Sequence, residues 1–153
     1  MAEYLENAVQ QVAQGGVVLL ESSIPCNKNY VVHEDGTGIF ILRGIVPNTC
    51  AKFAQYQVTF NANIALPETA TEVVPIAVAI AIYGEARQTS RAIYTPAAVD
   101  EYGNVTSTAI IRVPRGCCFS LSIESVPASE DPTVTPAPII NVQNANLTIT
   151  RIA

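Results

Sequence analysis

Ten residues, 55–64, constrain this chain more than any other stretch. Tyr56, Val58, Phe60, Ala62 and Ile64 share one parity, and Gln55, Gln57, Thr59, Asn61 and Asn63 share the other. Successive strand side chains point to opposite faces. Unbroken alternation over this length therefore predicts a strand with one face in a core and one polar face. Cys117, Phe119, Leu121 and Ile123 alternate with Cys118, Ser120, Ser122 and Glu124 in the same way, which places Cys117 on the core face. Residues 105–113 repeat the pattern more loosely, with Val105, Ala109, Ile111 and Val113 inward.

Further strands are expected at 16–21, 30–32, 39–42, 73–82, 89–94 and 139–152. Turn residues separate them: Asp35-Gly36, Pro47-Asn48, Leu66-Pro67, Tyr83-Gly84, Tyr102-Gly103-Asn104 and Pro114-Arg115-Gly116. A chain of 153 residues makes one domain. About nine to ten strands at such spacing predict an all-β jelly-roll sandwich.

Two strands depart from simple alternation. In residues 76–82 one face carries Ile76, Val78, Ile80 and Ile82, while the other carries Ala77, Ala79 and Ala81. Both faces are apolar, so both are expected to be covered, the alanines either by the chain itself or by a second subunit. In the last strand Ile140 and Val142 hold one parity and Leu147 and Ile149 the other, which predicts a bulge near residues 144–146. Its polar residues are uncharged and suit a partly buried seam. Ala77, Ala79, Ala81, Leu147 and Ile149 are the candidate oligomer interface.

Residues 2–14 hold no Gly or Pro, and Leu5, Val9 and Val12 fall on one helical stripe. Glu3 and Glu6 suit a first helical turn, and Gly15-Gly16 suits its end. A short N-terminal helix is expected, docked on its own sandwich or on a partner, and dispensable for folding. The implied organisation is a helical attachment segment over 1–15 and a jelly-roll domain over 16–153. Leu5, Val9 and Val12 are the candidate particle-attachment residues. Residues 125–138, with four prolines, read as an exposed extended loop.

Composition narrows the partners. Hydrophobic residues make up 49% and charged residues 14%, which excludes intrinsic disorder. A formal charge of −5 with few Lys and Arg argues against nucleic acid and against an anionic membrane. So apolar a chain is expected to hide surface by self-association. The acidic start after Met1 is not that of a secretory signal peptide. No apolar run reaches the ~20 residues that span a bilayer.

Catalytic chemistry is hard to find. Cys26, Cys50, Cys117 and Cys118 form no C-x-x-C pair, and His33 is the only histidine, so no zinc pattern arises. The cysteines are expected as buried free thiols. Gly36-Thr37-Gly38 reads as a hairpin turn, not a phosphate loop. His33-Glu34-Asp35 reads more readily as a solvated loop than as a metal site, and Cys50 and His33 lack a group to orient the histidine. No catalytic residue, metal or cofactor is expected, and the chain is not read as an enzyme.

Several blocks bring a resemblance. Residues 16–20 (GVVLL), 38–44 (GIFILRG), 56–64 (YQVTFNANI), 76–85 and 145–151 (ANLTITR) follow an order that resembles small trimeric jelly rolls of the tumour necrosis factor-like kind. Val113-Pro114-Arg115-Gly116-Cys117-Cys118 is similar to that family's lead-in to its penultimate strand. The chain also resembles the C-terminal domains of collagen-like exosporium glycoproteins, without their Gly-X-Y stalk, and phage head-fibre or capsid decoration proteins. The resemblance implies a homotrimer made in the host cytoplasm and carried on the virion surface. Its implied partners are itself and a phage major capsid protein or another virion protein, with host surface glycans as a further partner. The alternative reading is a carbohydrate-binding, receptor-binding lectin-type module, against which the chain has no Trp and few candidate aromatics (Tyr30, Tyr94, Tyr102).

Overall fold

The 55–64 alternation becomes the axis of one of two antiparallel sheets. The computed structural model describes residues 1–24, 29–34, 36–48, 50–129 and 138–153. In chain order the strands are β1 (Ala2–Glu6), β2 (Gln10–Val12), β3 (Ser22–Ile24), β4 (Val31–His33), β5 (Phe40–Arg43) and β6 (Phe53–Ala65). They continue with β7 (Ile76–Ile82), β8 (Glu85–Ala86), β9 (Ala92–Tyr94), β10 (Gly103–Pro114), β11 (Cys118–Val126) and β12 (Ile140–Arg151). A 3-10 turn, Gln88–Ser90, precedes β9. The first sheet has the order β10-β6-β12-β1-β3, with β2 also paired to β12. The second has the order β4-β5-β11-β7-β8, with β9 also paired to β7. The chain crosses repeatedly between the sheets, as a jelly roll requires.

The core lies between the sheets. Tyr56, Val58, Phe60, Ala62 and Ile64 of β6 are fully buried against a cluster that includes Phe40, Leu42, Ile80, Leu121 and Ile123 of the second sheet. Each large apolar side chain buried this way contributes about 1.5–3 kcal/mol. The Tyr56 hydroxyl, brought inward by the same parity, sits 2.5 Å from the Arg43 carbonyl oxygen to which it donates. β6 pairs with β10 without interruption from Phe53↔Pro114 to Ile64↔Gly103. Its pairing with β12 shifts register between Gln143 and Asn146, where Asn144 takes φ 53°. The bulge stands where the parity switch places it.

The N-terminal helix is not present. β1 pairs with β12 from Ala2↔Ile149 to Glu6↔Ala145, and β2 pairs with it from Gln10↔Val142 to Val12↔Ile140. Together they form one strand along the β12 edge, broken opposite the bulge. The physical reason is the alternative on offer. A helix of ~13 residues is marginal in water, whereas the β12 edge supplies backbone partners and the core accepts side chains. Ala2, Tyr4 and Val12 are buried there, and the Tyr4 ring lies 4.4 Å from Phe40 and 5.3 Å from His33. Gln10 locks the break by accepting from the Leu19 amide at 2.8 Å and donating to the Leu19 carbonyl at 2.9 Å. Residues 16–21 form no strand; Val17 makes one isolated bridge to Glu124 while Val18 and Leu20 enter the core.

Cys117 also departs from expectation. The turn after β10, closed by the Cys117 amide donating to Pro114, keeps it outside β11 and exposed. Cys50 and Cys118 are likewise free and exposed, while Cys26 lies outside the described residues. Most of the proline-rich stretch, 130–137, also lies outside them.

The N-terminal strands thus belong to the folding unit. Deleting residues 1–14 bares the β12 edge and removes Tyr4 and Val12 from the core. The truncated chain is expected to lose cooperative thermal unfolding by circular dichroism, and Tyr4→Ala alone to cost about 3–5 kcal/mol in denaturant titration. A truncation that melts within a few degrees of the full chain would contradict this.

Candidate functional site

The parity that sends Phe60 inward sends an uncharged row outward. Thr59, Asn61 and Asn63 on β6 lie opposite Thr108, Thr106 and Asn104 on β10, and Asn61 and Thr59 lie opposite Asn146 and Thr148 on β12. These side chains bond one another across the strands. The Thr59 and Thr108 hydroxyls are 3.2 Å apart, Asn61 Nδ2 donates to Thr106 Oγ1 at 2.8 Å, and Asn104 Nδ2 donates to Asn61 Oδ1 at 3.0 Å and Asn63 Oδ1 at 3.1 Å. Thr148 donates to Asn146 Oδ1 at 3.2 Å. Such cross-strand pairs stabilise a sheet.

The residues expected at a subunit interface stand elsewhere. Leu147 and Ile149 are buried in the core between the sheets, on the opposite side of β12 from Asn146 and Thr148. Ala77 and Ala79 lie on the outer face of β7, buried in a small cluster with Val126, Ala86 and Ala128 of the same chain. Ala81 is fully buried beside Ser122 and Ala86. The alanine face is therefore covered by its own chain. Leu5, Val9 and Val12 share no face: Val12 enters the core, Leu5 is half-buried, and Val9 is 51% exposed at the break between β1 and β2. His33 stacks on Phe40 at 4.7 Å, its Nε2 2.8 Å from the Thr37 carbonyl. Among the described residues no group of three His, Cys, Asp or Glu could hold a metal ion.

A second feature lies toward the other end of β10. A groove of about 900 Å³ opens between the exposed side of that strand and the β7–β8 hairpin. Its walls include Gln55, Tyr83, Arg87, Ile110, Arg112 and Phe119. Tyr83 and Phe119 meet edge to face with centroids 5.4 Å apart, and the Tyr83 hydroxyl donates to the Cys118 carbonyl. Arg87 donates through Nη1 to the Ile110 carbonyl at 3.2 Å. Tyr83 and Gly84 form the two-residue loop between the paired Ile82 and Glu85, and both take positive φ, 54° and 74°. That conformation favours Asn or Gly at its first position. Tyr83 holds it at a cost of about 1–3 kcal/mol. Tyr83-Gly84 is legible in sequence as a turn; Gln55, Arg87 and Arg112 read only as strand and loop residues.

Behind this hairpin sits a buried carboxyl. Glu124 lies opposite Ala79, accepts from the Ser122 hydroxyl at 3.3 Å, and is 8% exposed. Burial raises its pKa above the ordinary glutamate value, and the Ser122 bond only partly offsets this.

No protein-family model and no curated protein sequence matches the chain. Solved structures do. The Eiger TNF of S. frugiperda superimposes with a TM-score of 0.61 at 8% identity, covering 100% of this chain and 92% of that one. The globular domain of a zebrafish complement 1qA protein superimposes with a TM-score of 0.55 at 14% identity, covering 96% and 94%. A sugar-binding EclA C-terminal domain scores 0.42 at 15% identity over 95% of this chain and 79% of that one, too distant to argue from. The chain has the jelly-roll fold of tumour necrosis factor-like and C1q-like domains.

Two measurements probe the hairpin. A carboxyl whose folded pKa is raised stabilises the fold fully only below its unfolded pKa, near 4.5, and that contribution is lost as pH rises through the folded value. Glu124→Gln is therefore expected to melt higher than the parent at pH 7 and together with it near pH 4. Equal melting at both values would show that the carboxyl is not strained by burial. Tyr83→Asn relieves the left-handed turn and is expected to raise stability by up to about 1 kcal/mol in urea titration.

Proposed function

We propose that this chain is a non-enzymatic structural module that assembles as a homotrimer and decorates the head of a phage. It is made in the host cytoplasm and carried on the virion surface against the major capsid protein or another virion protein. The observation that carries self-association is the neutral Asn/Thr face of β6, β10 and β12, whose side chains are already bonded to one another. The Asn/Thr rows carry no ion whose desolvation would make burial costly, and the carboxylate at their β1 side, Glu3, already accepts from Asn146 Nδ2. The threefold arrangement comes from the resemblance to small trimeric jelly rolls, and it closes symmetrically without exposing a new face. The particle role comes from the resemblance to head-fibre proteins. Of the three residues read as attachment points, Val9 is the one left exposed for a contact with the particle. Carbohydrate binding is the second reading, favoured by the Tyr83–Phe119 wall of the groove.

Native mass spectrometry at micromolar concentration is expected to give three times the 16.3 kDa chain mass. Thr59→Lys sets an unpaired charge in the middle of the seam, at a cost of about 3–5 kcal/mol if buried there. It should yield folded monomer. A monomeric parent, or a trimer indifferent to Thr59→Lys, would overturn the assembly.

A further inference from the structure

We infer that the groove between β10 and the β7–β8 hairpin is a binding site for a carboxylate-bearing saccharide, which deepens the second reading above by naming its ligand class and its residues. Its volume of about 900 Å³ falls in the range of small-molecule sites. Its rows, Gln55↔Arg112 and Gln57↔Ile110, lie beyond the Asn/Thr rows of the neutral face, so a seam there leaves the groove free.

Charge selects the ligand. The chain has 8 Lys and Arg against 13 Asp and Glu, yet Arg87 and Arg112 converge on this one groove with Glu85 as its single carboxylate. The net is one positive charge, matched to a monoanion and poorly to a phosphate dianion. Arg87 is held in place by its bond to the Ile110 carbonyl and keeps its other donors free. Arg112 is exposed on its strand, with no hydrogen-bond or ion-pair partner among the described residues. A planar guanidinium meets a carboxylate through two parallel hydrogen bonds.

Shape selects the rest. Tyr83 is 64% exposed, and its hydroxyl bond to Cys118 fixes the ring at the groove wall beside Phe119. Rigid aromatic faces beside amide groups suit a sugar ring, whose C–H face packs on the aromatic while its hydroxyls reach polar side chains. Gln55 and Gln88 supply such amides. The left-handed backbone at Tyr83 is a second, independent pointer, because a turn built only for stability favours Asn there.

The test applies the full chain to an array of immobilised oligosaccharides in which each sialylated or uronate-bearing glycan is paired with its neutral parent. At least one acidic glycan is expected to bind about tenfold more tightly than its parent. Arg112→Ala should abolish that difference while leaving weak neutral binding, and Tyr83→Asn, which relieves the turn, should weaken both members of the pair. Equal binding of acidic and neutral partners overturns the carboxylate specificity while the second reading stands. Binding of no glycan overturns both. Acidic preference that survives Arg112→Ala and Tyr83→Asn places the site elsewhere and overturns the assignment to this groove.

Discussion

β6 is hydrogen-bonded along both edges, to β10 without a break and to β12 with a single one, and the rest of the molecule is positioned by that arrangement. Because strand side chains alternate strictly, one register decides two surfaces at once. The inward row of Tyr56, Val58, Phe60, Ala62 and Ile64 builds the core, and the outward row of Gln55, Gln57, Thr59, Asn61 and Asn63 faces away from it. A slip of one residue would exchange the rows, burying five amides and hydroxyls and exposing two aromatic rings. At about 1.5–3 kcal/mol for each large apolar side chain, that exchange is comparable to the whole stability of an ordinary domain. The register also sets what stands beside what. Asn61 meets Thr106 and Asn146 in the neutral ladder, and Gln55 meets Arg112 at the groove.

The bulge in β12 extends this control to the N-terminus. Without it, Ile140 and Val142 would share a parity with Asn146 and Thr148, and the strand could not keep both halves in the core. Asn144 absorbs the extra residue at positive φ, a conformation that asparagine tolerates. The neighbouring strand has to break at the same height, so β1 and β2 part at residues 7–9 and Val9 is left outside. One irregularity therefore explains both the corrected parity of the last strand and the exposure of Val9.

What was legible in the sequence follows from period. The strands around 55–64, 105–113 and 118–126 were readable because alternation leaves no other element that buries the same residues. The N-terminus was misread because its apolar residues fit two periods. Leu5, Val9 and Val12 describe a helix, while Ala2, Tyr4 and Val12 describe a broken strand, and only the free edge of β12 decides between them. Cys117 was placed inward by extending an alternation through a turn that ends one residue later. The alanine face was read as a candidate subunit interface because both faces of that strand are apolar; Val126, Ala86 and Ala128 of the same chain pack against it. The groove was invisible because its walls come from β6, the β7–β8 hairpin, the 3-10 turn, β10 and β11, which meet only once the register is set.

The β7–β8 hairpin is where the chain gives up stability twice in one place. Tyr83 holds a left-handed backbone that costs a bulky residue about 1–3 kcal/mol. Beside it, a side-chain carbon built on Gly84 would lie 3.9 Å from Oε1 of Glu124, the buried carboxyl whose pKa is raised. Neither departure is needed to close the sandwich. An Asn-Gly turn would pair Ile82 with Glu85 as well, and an uncharged residue would fill the Glu124 position without desolvating an acid. The neutral face shows the opposite economy, with its side chains bonded to one another and its one left-handed residue in the β12 bulge an asparagine, which tolerates that conformation. Local rules broken together mark a place shaped by something other than folding. On the proposed reading the two surfaces would divide the work, the Asn/Thr face making the contact between subunits and the strained hairpin holding the ligand.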